Sequence, residues 1–287
     1  MTVFTAVAAI GALTLVLAFL LSVANRKLSV FEDPRIDAVE EMLPHANCGA
    51  CGYPGCRAFA EAVVGGEALP GKCTVGSEEE RQRIAAFLGV EAGAEARRVA
   101  RLACAGGANV ARQRAHYRGL SSCRAAQAVG GGGKGCFWGC LGFGDCERSC
   151  TFNAIRMDEF GLPRVDEAAC TACGDCVSVC PRDLFSLQAV ENRLWVACRN
   201  LEHGDAVLEE CEVGCTACGR CAMDAAEGLV TMQGNLPVVD YRCRQDRTPI
   251  ERCPTGAIVW IDPELGPVRG AASRPVIRQS RLRDGAS

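Results

Sequence analysis

Four cysteines stand within eleven residues of this chain, in the stretch Cys170-Thr-Ala-Cys173-Gly-Asp-Cys176-Val-Ser-Val-Cys180-Pro181. A C-x2-C-x2-C turn directs three thiols at one point, whereas a fourth cysteine that precedes a proline points elsewhere. In chains that bind two iron–sulfur clusters through this pattern, the fourth cysteine binds the other cluster. The stretch therefore predicts a second cysteine motif elsewhere in the chain.

A second motif with wider gaps lies just upstream, as Cys136-x3-Cys140-x5-Cys146-x3-Cys150. The crossover rule combines three cysteines of each motif with the last cysteine of the other motif. The two ligand sets expected from this rule are Cys136, Cys140, Cys146 and Cys180, and Cys150, Cys170, Cys173 and Cys176. This region therefore predicts two [4Fe–4S] clusters.

The pattern recurs further along the chain as an incomplete copy. Its retained cysteines form a third expected set: Cys215, Cys218, Cys221 and Cys253. Where an intact copy would have cysteine, this one has Ala225, Asp246 and Pro249, alongside Cys243. Because the crossover rule assigns these four positions to one cluster, we expect the second copy to have lost that cluster and kept the other.

Both copies also carry a hairpin pattern between their cysteine groups. In the first copy, residues 154–157 and 162–165 predict two short strands around Gly161, and in the second, residues 229–232 and 236–240 do the same. The shared order of cysteines and strands indicates an internal repeat. We interpret it as two ferredoxin-like repeats in tandem, of the βαβ type that holds two clusters, with the second repeat degenerate.

A separate cysteine group stands near the N-terminus: Cys48, Cys51, Cys56 and Cys73. A helix predicted at 57–64 returns the chain, so that the last cysteine completes a set of four thiolates. Further helices are predicted at 34–43 and at 77–88, and the second of these begins with a capping box. This region predicts a small domain with one [4Fe–4S] cluster.

Five of the 21 cysteines remain outside these sets: Cys104, Cys123, Cys198, Cys211 and Cys243. The last is the survivor of the lost site. The other four are enough for a fifth cluster, which would join the segments that precede the two repeats. Their spacing is not diagnostic, and buried structural thiols are the alternative.

Composition argues against both disulfide bonds and zinc ions as the role of so many cysteines. Secreted disulfide scaffolds are usually short and lack ferredoxin spacing. Zinc sites favour well-separated C-x2-C pairs and often histidine, whereas this chain has C-x2-C-x2-C triplets and three histidines. A net charge of −3 gives no global sign of nucleic-acid binding.

The first residues predict a membrane anchor. No charged residue occurs from Val3 to Ala24, which is long enough to cross a bilayer as a helix. Arg26 and Lys27 follow this run, and no basic residue precedes it. The positive-inside rule then predicts a single-pass protein of the cytoplasmic (inner) membrane, with its N-terminus outside and its cluster domains in the cytoplasm. A cleaved signal peptide is the alternative.

Together these features predict an α+β chain with one N-terminal transmembrane helix. The expected divisions are an anchor at 1–27, a four-cysteine domain at 31–90, a linker region at 91–133, the first repeat at 134–190, the second at 191–262, and a disordered basic tail at 263–287. Within the linker region, the Ala, Arg and Glu content predicts a helix at 91–103. The glycines Gly130–Gly133 predict a flexible hinge.

The arrangement resembles the B subunit of the Rnf electron-transport complex. The resemblance rests on the N-terminal anchor, the block Leu43-Pro-His-Ala-Asn-Cys-Gly-Ala-Cys-Gly-Tyr-Pro-Gly-Cys56 with Cys73, and the tandem ferredoxin motifs, together spanning residues 3–261. It implies an electron-relay subunit that exchanges electrons with soluble reduced ferredoxin and with partner redox subunits. It further implies a complex that couples ferredoxin:NAD⁺ oxidoreduction to Na⁺ or H⁺ translocation, with no complete active site on this chain.

Two other functions remain open at this point. One is a membrane-tethered polyferredoxin that serves a different oxidoreductase without ion pumping. The other is a zinc-bound structural module. Neither a nucleophile–base pair nor a nucleotide-binding fingerprint stands out in the sequence, so flavin and NAD⁺ chemistry would belong to partner subunits.

Overall fold

A computed structural model describes residues 2–28 and 32–278 of the chain. Its helices are α1 (Thr2–Leu28), α2 (Pro34–Met42), α3 (Cys56–Val64), α4 (Glu78–Leu88), α5 (Cys123–Ala128), α6 (Asp145–Ser149), α7 (Asp175–Val179), α8 (Asp205–Glu210), α9 (Arg220–Asp224) and α10 (Thr248–Glu251). Its strands are β1 (Arg98–Leu102), β2 (Ile155–Met157), β3 (Pro163–Val165), β4 (Phe185–Ala189), β5 (Leu194–Val196), β6 (Val230–Gln233), β7 (Leu236–Val239), β8 (Ile258–Asp262) and β9 (Gly266–Arg269).

Helix α1 stands apart from the rest of the protein. Its most apolar part, Val7–Lys27, has a mean hydropathy of 2.6, and none of it is buried against other residues. This is long enough to cross a bilayer. An apolar helix without protein around it needs another apolar environment, which agrees with the predicted anchor.

Helices α2, α3 and α4 form the small four-cysteine domain, and they confirm the three helices expected there. Asp33 caps α2, and Ser77 opens α4 in a capping box with Glu80. The domain core is small, with Val39 and Phe59 almost fully buried. Cys56 begins α3, and Cys73 follows a short 3-10 turn at Pro70–Lys72.

The two ferredoxin-like repeats are built alike. In the first repeat the antiparallel hairpin β2–β3 separates α6 from α7, and these helices pack on each other. In the second repeat the hairpin β6–β7 separates α9 from α10, which also pack together. Both predicted hairpins are thereby confirmed.

The predicted helix at 91–103 is wrong, because part of this segment is strand β1. It pairs antiparallel with β4, and Arg98 lies opposite Ala189. Val99 is fully buried, and the guanidinium of buried Arg101 pairs with Glu167 at 3.0 Å. Pairing with the edge of β4 stabilises a strand here more than the helical preference of alanine and arginine stabilises a helix.

The predicted tail at 263–287 also begins with ordered structure. Strand β9 pairs with β8, which in turn pairs with β5, to form a three-stranded sheet in the second repeat. Arg278 donates hydrogen bonds to Asn109 and Glu212 at 2.9 Å. The turn at Pro263–Leu265 joins β8 and β9 in a hairpin, which the arginine-rich composition of the tail does not indicate. The remaining part of that prediction, 279–287, lies outside the described residues.

The glycines Gly130–Gly133 form a packed turn rather than a flexible hinge. All four have positive φ angles. The carbonyl of Gly133 accepts the N–H of Arg114 at 2.7 Å, which ties the turn to the neighbouring segment. Such a run of left-handed backbone explains the glycines without any need for mobility.

Replacing Gly133 by Ala should lower the midpoint of thermal unfolding by several degrees more than Gly130→Ala. Both positions have positive φ, so each substitution carries a backbone cost of about 1–2 kcal/mol. At Gly133 an added Cβ would also overlap the carbonyl of Ala115, whereas no atom lies within 4 Å at Gly130. Scanning calorimetry on protein purified without oxygen measures the difference, and equal midpoints would contradict a packed turn.

Candidate iron–sulfur cluster sites

Twenty of the 21 cysteines gather in five sets of four. The members are, in set 1, Cys48, Cys51, Cys56 and Cys73; in set 2, Cys150, Cys170, Cys173 and Cys176; in set 3, Cys123, Cys140, Cys146 and Cys180; in set 4, Cys104, Cys136, Cys198 and Cys211; and in set 5, Cys215, Cys218, Cys221 and Cys253.

Sets 1, 2, 4 and 5 each line a cavity of their own. The four cavities have similar empty volumes, about 310 to 350 Å³ with the space at their mouths included. Their linings share little except four thiols and small residues. Cavities of one size built from different sequences indicate that they accommodate the same kind of group.

Set 1 is assembled by a loop and the start of α3. Positive φ angles at Gly49 and Gly52 turn the chain sharply between the first thiols. The side chain of Asn47 accepts the N–H of Cys56 at 2.8 Å, so it fixes the loop to the first turn of α3. The N–H of Gly76 donates to the Cys73 sulfur at 3.3 Å.

Sets 2 and 5 use the same turn in the two repeats. Ala172 and Ala217, each one residue before a cysteine, both have a φ of 58°, which is uncommon for residues with a side chain. In set 2 the N–H of Ala154 donates to the Cys150 sulfur at 3.3 Å, and that of Ala100 to Cys170 at 3.4 Å. In each set the structure brings together around one cavity the four cysteines that the crossover rule combines.

Two cysteines lie in different sets from those predicted. Cys136 was expected with Cys140 and Cys146, but it lies in the set 4 cavity. Cys123, expected in the tentative fifth set, instead lies beside Cys146 and Cys180 in set 3. The structure thus differs from the predicted placement of Cys136, which rested on spacing, and of Cys123, which rested on the count of remaining cysteines. All eight positions still lie in four-thiol groups.

Helix α5 explains the exchange. Ser122 caps this helix, and its hydroxyl donates to the carboxylate of Asp145 at 3.0 Å. Asp145 begins α6 and also accepts the N–H of Arg124 at 3.2 Å. These bonds hold the start of α5, where Cys123 stands, against the helix that carries Cys146. The gap of three residues after Cys136, instead of the usual two, was the sequence signal of this difference.

Set 4 contains two residues that the sequence reasoning missed. Asn200 is 3% exposed, and its amide N–H₂ donates to the Cys136 sulfur at 3.7 Å. The ammonium of Lys134 lines the same cavity and donates to the carbonyls of Gly106 and Cys140. Donors and positive charge next to a thiolate stabilise negative charge there. No motif marks either residue, because both reach the site only through the tertiary fold.

The buried thiols of set 4 need a positively charged partner to ionise. Burial raises the pKa of Cys198 to about 12, and the nearby Cys104 adds to the shift. Burial likewise raises the pKa of Cys211 to about 12, again with a contribution from Cys104. A bound metal centre supplies positive charge that deprotonates coordinating thiols outright. The donor set therefore fits a metal–sulfur cluster.

The cavities that the thiols line suit a group larger than a single zinc ion. Across residues 2–28 and 32–278, no three Cys, His, Asp or Glu side chains converge as the ligands of one ion would. A tetrahedral zinc ion holds its sulfurs about 2.3 Å from the metal, and therefore close together. Four thiols around a cavity instead suit a larger, multinuclear group.

Apolar side chains occupy most of the positions where the second repeat is predicted to have lost a site. Pro249 and Ile250 are almost fully buried, and Ile250 packs in one cluster with Ala225 and Cys243. The Cys243 thiol approaches Gly228. Apolar packing thus replaces the missing group, and Cys243 belongs to none of the five sets.

Contacts between ligand residues join the five sets in one series. The Thr74 hydroxyl, next to set 1, donates at 2.7 Å to the carbonyl of Thr171, within the first turn of set 2. Sets 2 and 3 meet where α6 packs on α7. The N–H of Cys140 in set 3 donates to the sulfur of Cys104 in set 4 at 3.4 Å.

The same kind of link joins sets 4 and 5. The N–H of Cys215 donates to the sulfur of Cys198 at 3.3 Å. A single hydrogen bond thus connects the backbone of a residue in one set to the sulfur of the next. The sets follow one another through the protein in the order 1, 2, 3, 4 and 5.

Two family models match the regions that carry the first three sets. Residues 43–75 match one described as "Putative Fe-S cluster", and residues 138–184 match one described as "4Fe-4S dicluster domain". The second match contains seven of the cysteines in sets 2 and 3 and excludes Cys136. Cys123, the eighth cysteine of sets 2 and 3, lies outside the matched segment.

Curated relatives resemble most of the chain. The B subunit of the Na⁺-translocating ferredoxin:NAD⁺ oxidoreductase complex of Acetobacterium woodii is 39% identical, over 87% of this chain and 75% of its own. The corresponding B subunit of the proton-translocating complex of Clostridium ljungdahlii is 37% identical, over 86% of this chain and 88% of its own. The B subunit of an ion-translocating oxidoreductase complex from Methanosarcina acetivorans is 33% identical, over 88% and 96%. The chain therefore belongs to the family of Rnf complex B subunits.

Proposed function

We propose that this chain relays single electrons along its five cysteine sets, between soluble reduced ferredoxin and the other redox subunits of an Rnf-type complex. The observation that carries the proposal is the series of contacts between successive sets, in which backbone N–H groups at set 3 and set 5 reach sulfurs of set 4. The relatives' names include both Na⁺ and proton translocation, and the complex of this chain would use one of these two ions.

Each set supplies the ligands for one [4Fe–4S] cluster in this proposal. When bound, such a cluster takes up and releases one electron, at a potential set by hydrogen bonds, charge and exposure. The chain's own residues provide four thiolates and aim N–H groups at some of the sulfurs. Ten of the twenty cysteines are buried, and only Cys218 is exposed.

Helix α1 would anchor this relay in the cytoplasmic membrane. Arg26 and Lys27 end the helix, so the positive-inside rule puts the N-terminus outside and the cysteine sets in the cytoplasm. That compartment keeps thiols reduced and available to hold clusters. The helix has no ionisable side chain between Val7 and Ala24, so ion movement would belong to partner subunits.

Wild-type protein purified without oxygen should contain about twenty iron atoms per chain, matched by acid-labile sulfide. Cys123→Ser and Cys104→Ser should each lose about four of them, since these residues belong to different sets. Cys243→Ser is the matched control and should lose none. About sixteen irons in the wild type, unchanged by both substitutions, would reduce the relay to four clusters, and zinc without iron would refute it.

Replacing Asn200 by Leu should lower the reduction potential of one cluster. The amide N–H₂ of Asn200 donates to a set 4 sulfur, and this bond favours the more negative, reduced state. Redox titration followed by electron paramagnetic resonance measures the potential, and the iron content shows whether the cluster is retained. Asn192→Leu is a suitable control, because the amide N–H₂ of Asn192 donates to the side-chain carbonyl of Gln188 at 3.1 Å and to no sulfur. A potential unchanged in Asn200→Leu would contradict the tuning role.

Deleting residues 2–28 should release the chain from the membrane without loss of iron. The deleted helix contributes nothing to the described core, since its span is unburied. Fractionation of cells and iron analysis of the soluble fraction measure the two effects. Continued sedimentation of the shortened chain with membranes would show that another surface provides the attachment.

A further inference from the structure

One segment near the middle of the chain has a charge opposite to that of the protein as a whole. Residues 111–135 contain five basic residues and no acidic one, although the whole chain has a net charge of −3. Lys134 is turned inward to set 4, but the side chains of Arg112, Arg118 and Arg124 are exposed. Outside the anchor, this is a concentrated block of positive charge at the surface.

Within the described part of the chain, the guanidinium groups of these three arginines have no carboxylate partner. Arg114 in the same segment pairs with Glu210, but no ion pair with Arg112, Arg118 or Arg124 occurs in the described residues. Exposed arginines without internal partners leave their charge available to another molecule. Leu120, in the same segment, has 78% of its surface exposed. An exposed apolar side chain in a segment of exposed positive charge is typical of an interaction surface.

The segment covers set 3. The ring of Tyr117 packs edge-on against Phe143 with centroids 5.2 Å apart. Arg148, from the helix that carries Cys146, donates to the carbonyl of Ser121 at 3.1 Å. Cys123 follows two residues later. Arg118 and Arg124 stand on either side of Cys123 in the chain, whereas the backbone of Arg112 bonds to Glu210 and Gly135, next to Cys211 and Cys136 of set 4. A protein that docks on these arginines would therefore lie beside the thiols of sets 3 and 4.

We propose that this basic face, formed by Arg112, Arg118, Arg124 and Leu120, is the docking surface for an acidic electron-carrier protein. The proposal rests on the proposed function, in which soluble ferredoxin is the electron donor. One electron leaves the reduced carrier, which is oxidised, and the relay chain is reduced by one electron. No bond or proton changes place. Delivery at set 3 puts the electron one step from set 2 and one step from set 4.

Charge favours this face over the end of the series at set 1. Residues 32–91, which include that set, contain eleven acidic and five basic residues. An acidic carrier would be repelled from that domain and attracted to the basic face. Complementary charge raises association rates at low salt and selects among partners.

The test compares Arg118→Glu and Arg112→Glu with Arg156→Glu. Arg156 is an exposed arginine of β2 without an ion pair among the described residues, and its reversal changes the net charge equally. The probe is a reduced plant-type [2Fe–2S] ferredoxin of net negative charge, mixed without oxygen with the full-length chain in detergent. Its electron paramagnetic resonance signal, distinct from that of [4Fe–4S] clusters, disappears as it is oxidised, and freeze-quenched samples give the second-order rate constant. Reduced methyl viologen, a small cation, is the second reductant.

At low ionic strength we expect Arg118→Glu and Arg112→Glu each to lower the rate constant with ferredoxin about tenfold. We expect Arg156→Glu to change it less than twofold, and added salt to erase the differences. Equal slowing in all three variants, or none, would overturn the docking surface while leaving the relay intact. If viologen reduces the wild-type chain but ferredoxin does not, ferredoxin is rejected as the electron donor. Iron content shows that each variant keeps its clusters.

Discussion

The grouping of thiols in fours is the constraint on which this fold depends. Strands in the two repeats are three to five residues long, and α6, α7 and α9 have five residues each. Elements of this size bury too little apolar surface to hold a domain together. The cysteines lie at their ends, so that ligation to one cluster would tie several elements at once. Folding and cluster binding are then coupled, as they are in small metal-binding domains.

The same constraint explains how the second repeat can fold with one set of four thiols instead of two. Its hairpin and both of its short helices are retained, and buried Pro249 and Ile250 fill the place of the missing group. Strand β9 adds a third strand to the sheet of that repeat. Apolar packing and a longer sheet thus replace metal ligation as a source of stability. As an Rnf complex B subunit, the chain is an electron-relay subunit in which the series of sets ends at set 5.

Much of this arrangement could be predicted from the sequence. Local signals were sufficient for sets 1, 2 and 5, the capping box at Ser77 and both hairpins, because each depends on residues close together in the chain. Tertiary contacts decided the rest. Cys123 reaches set 3 through the bond between Ser122 and Asp145, and strand β1 forms because β4 offers it an edge. Asn200 carries no motif, so only the fold shows that it contacts a sulfur.

The central claim is that five clusters lie in series, with Cys123 and Cys136 at neighbouring but different sites. An anomalous difference map at the iron edge, from crystals of the full-length chain grown without oxygen, tests this most directly. We predict five compact iron peaks in the order of the sets, with Cys123 against the third and Cys136 against the fourth. Four peaks, or one peak bonded to Cys136, Cys140 and Cys146 together, would contradict the account.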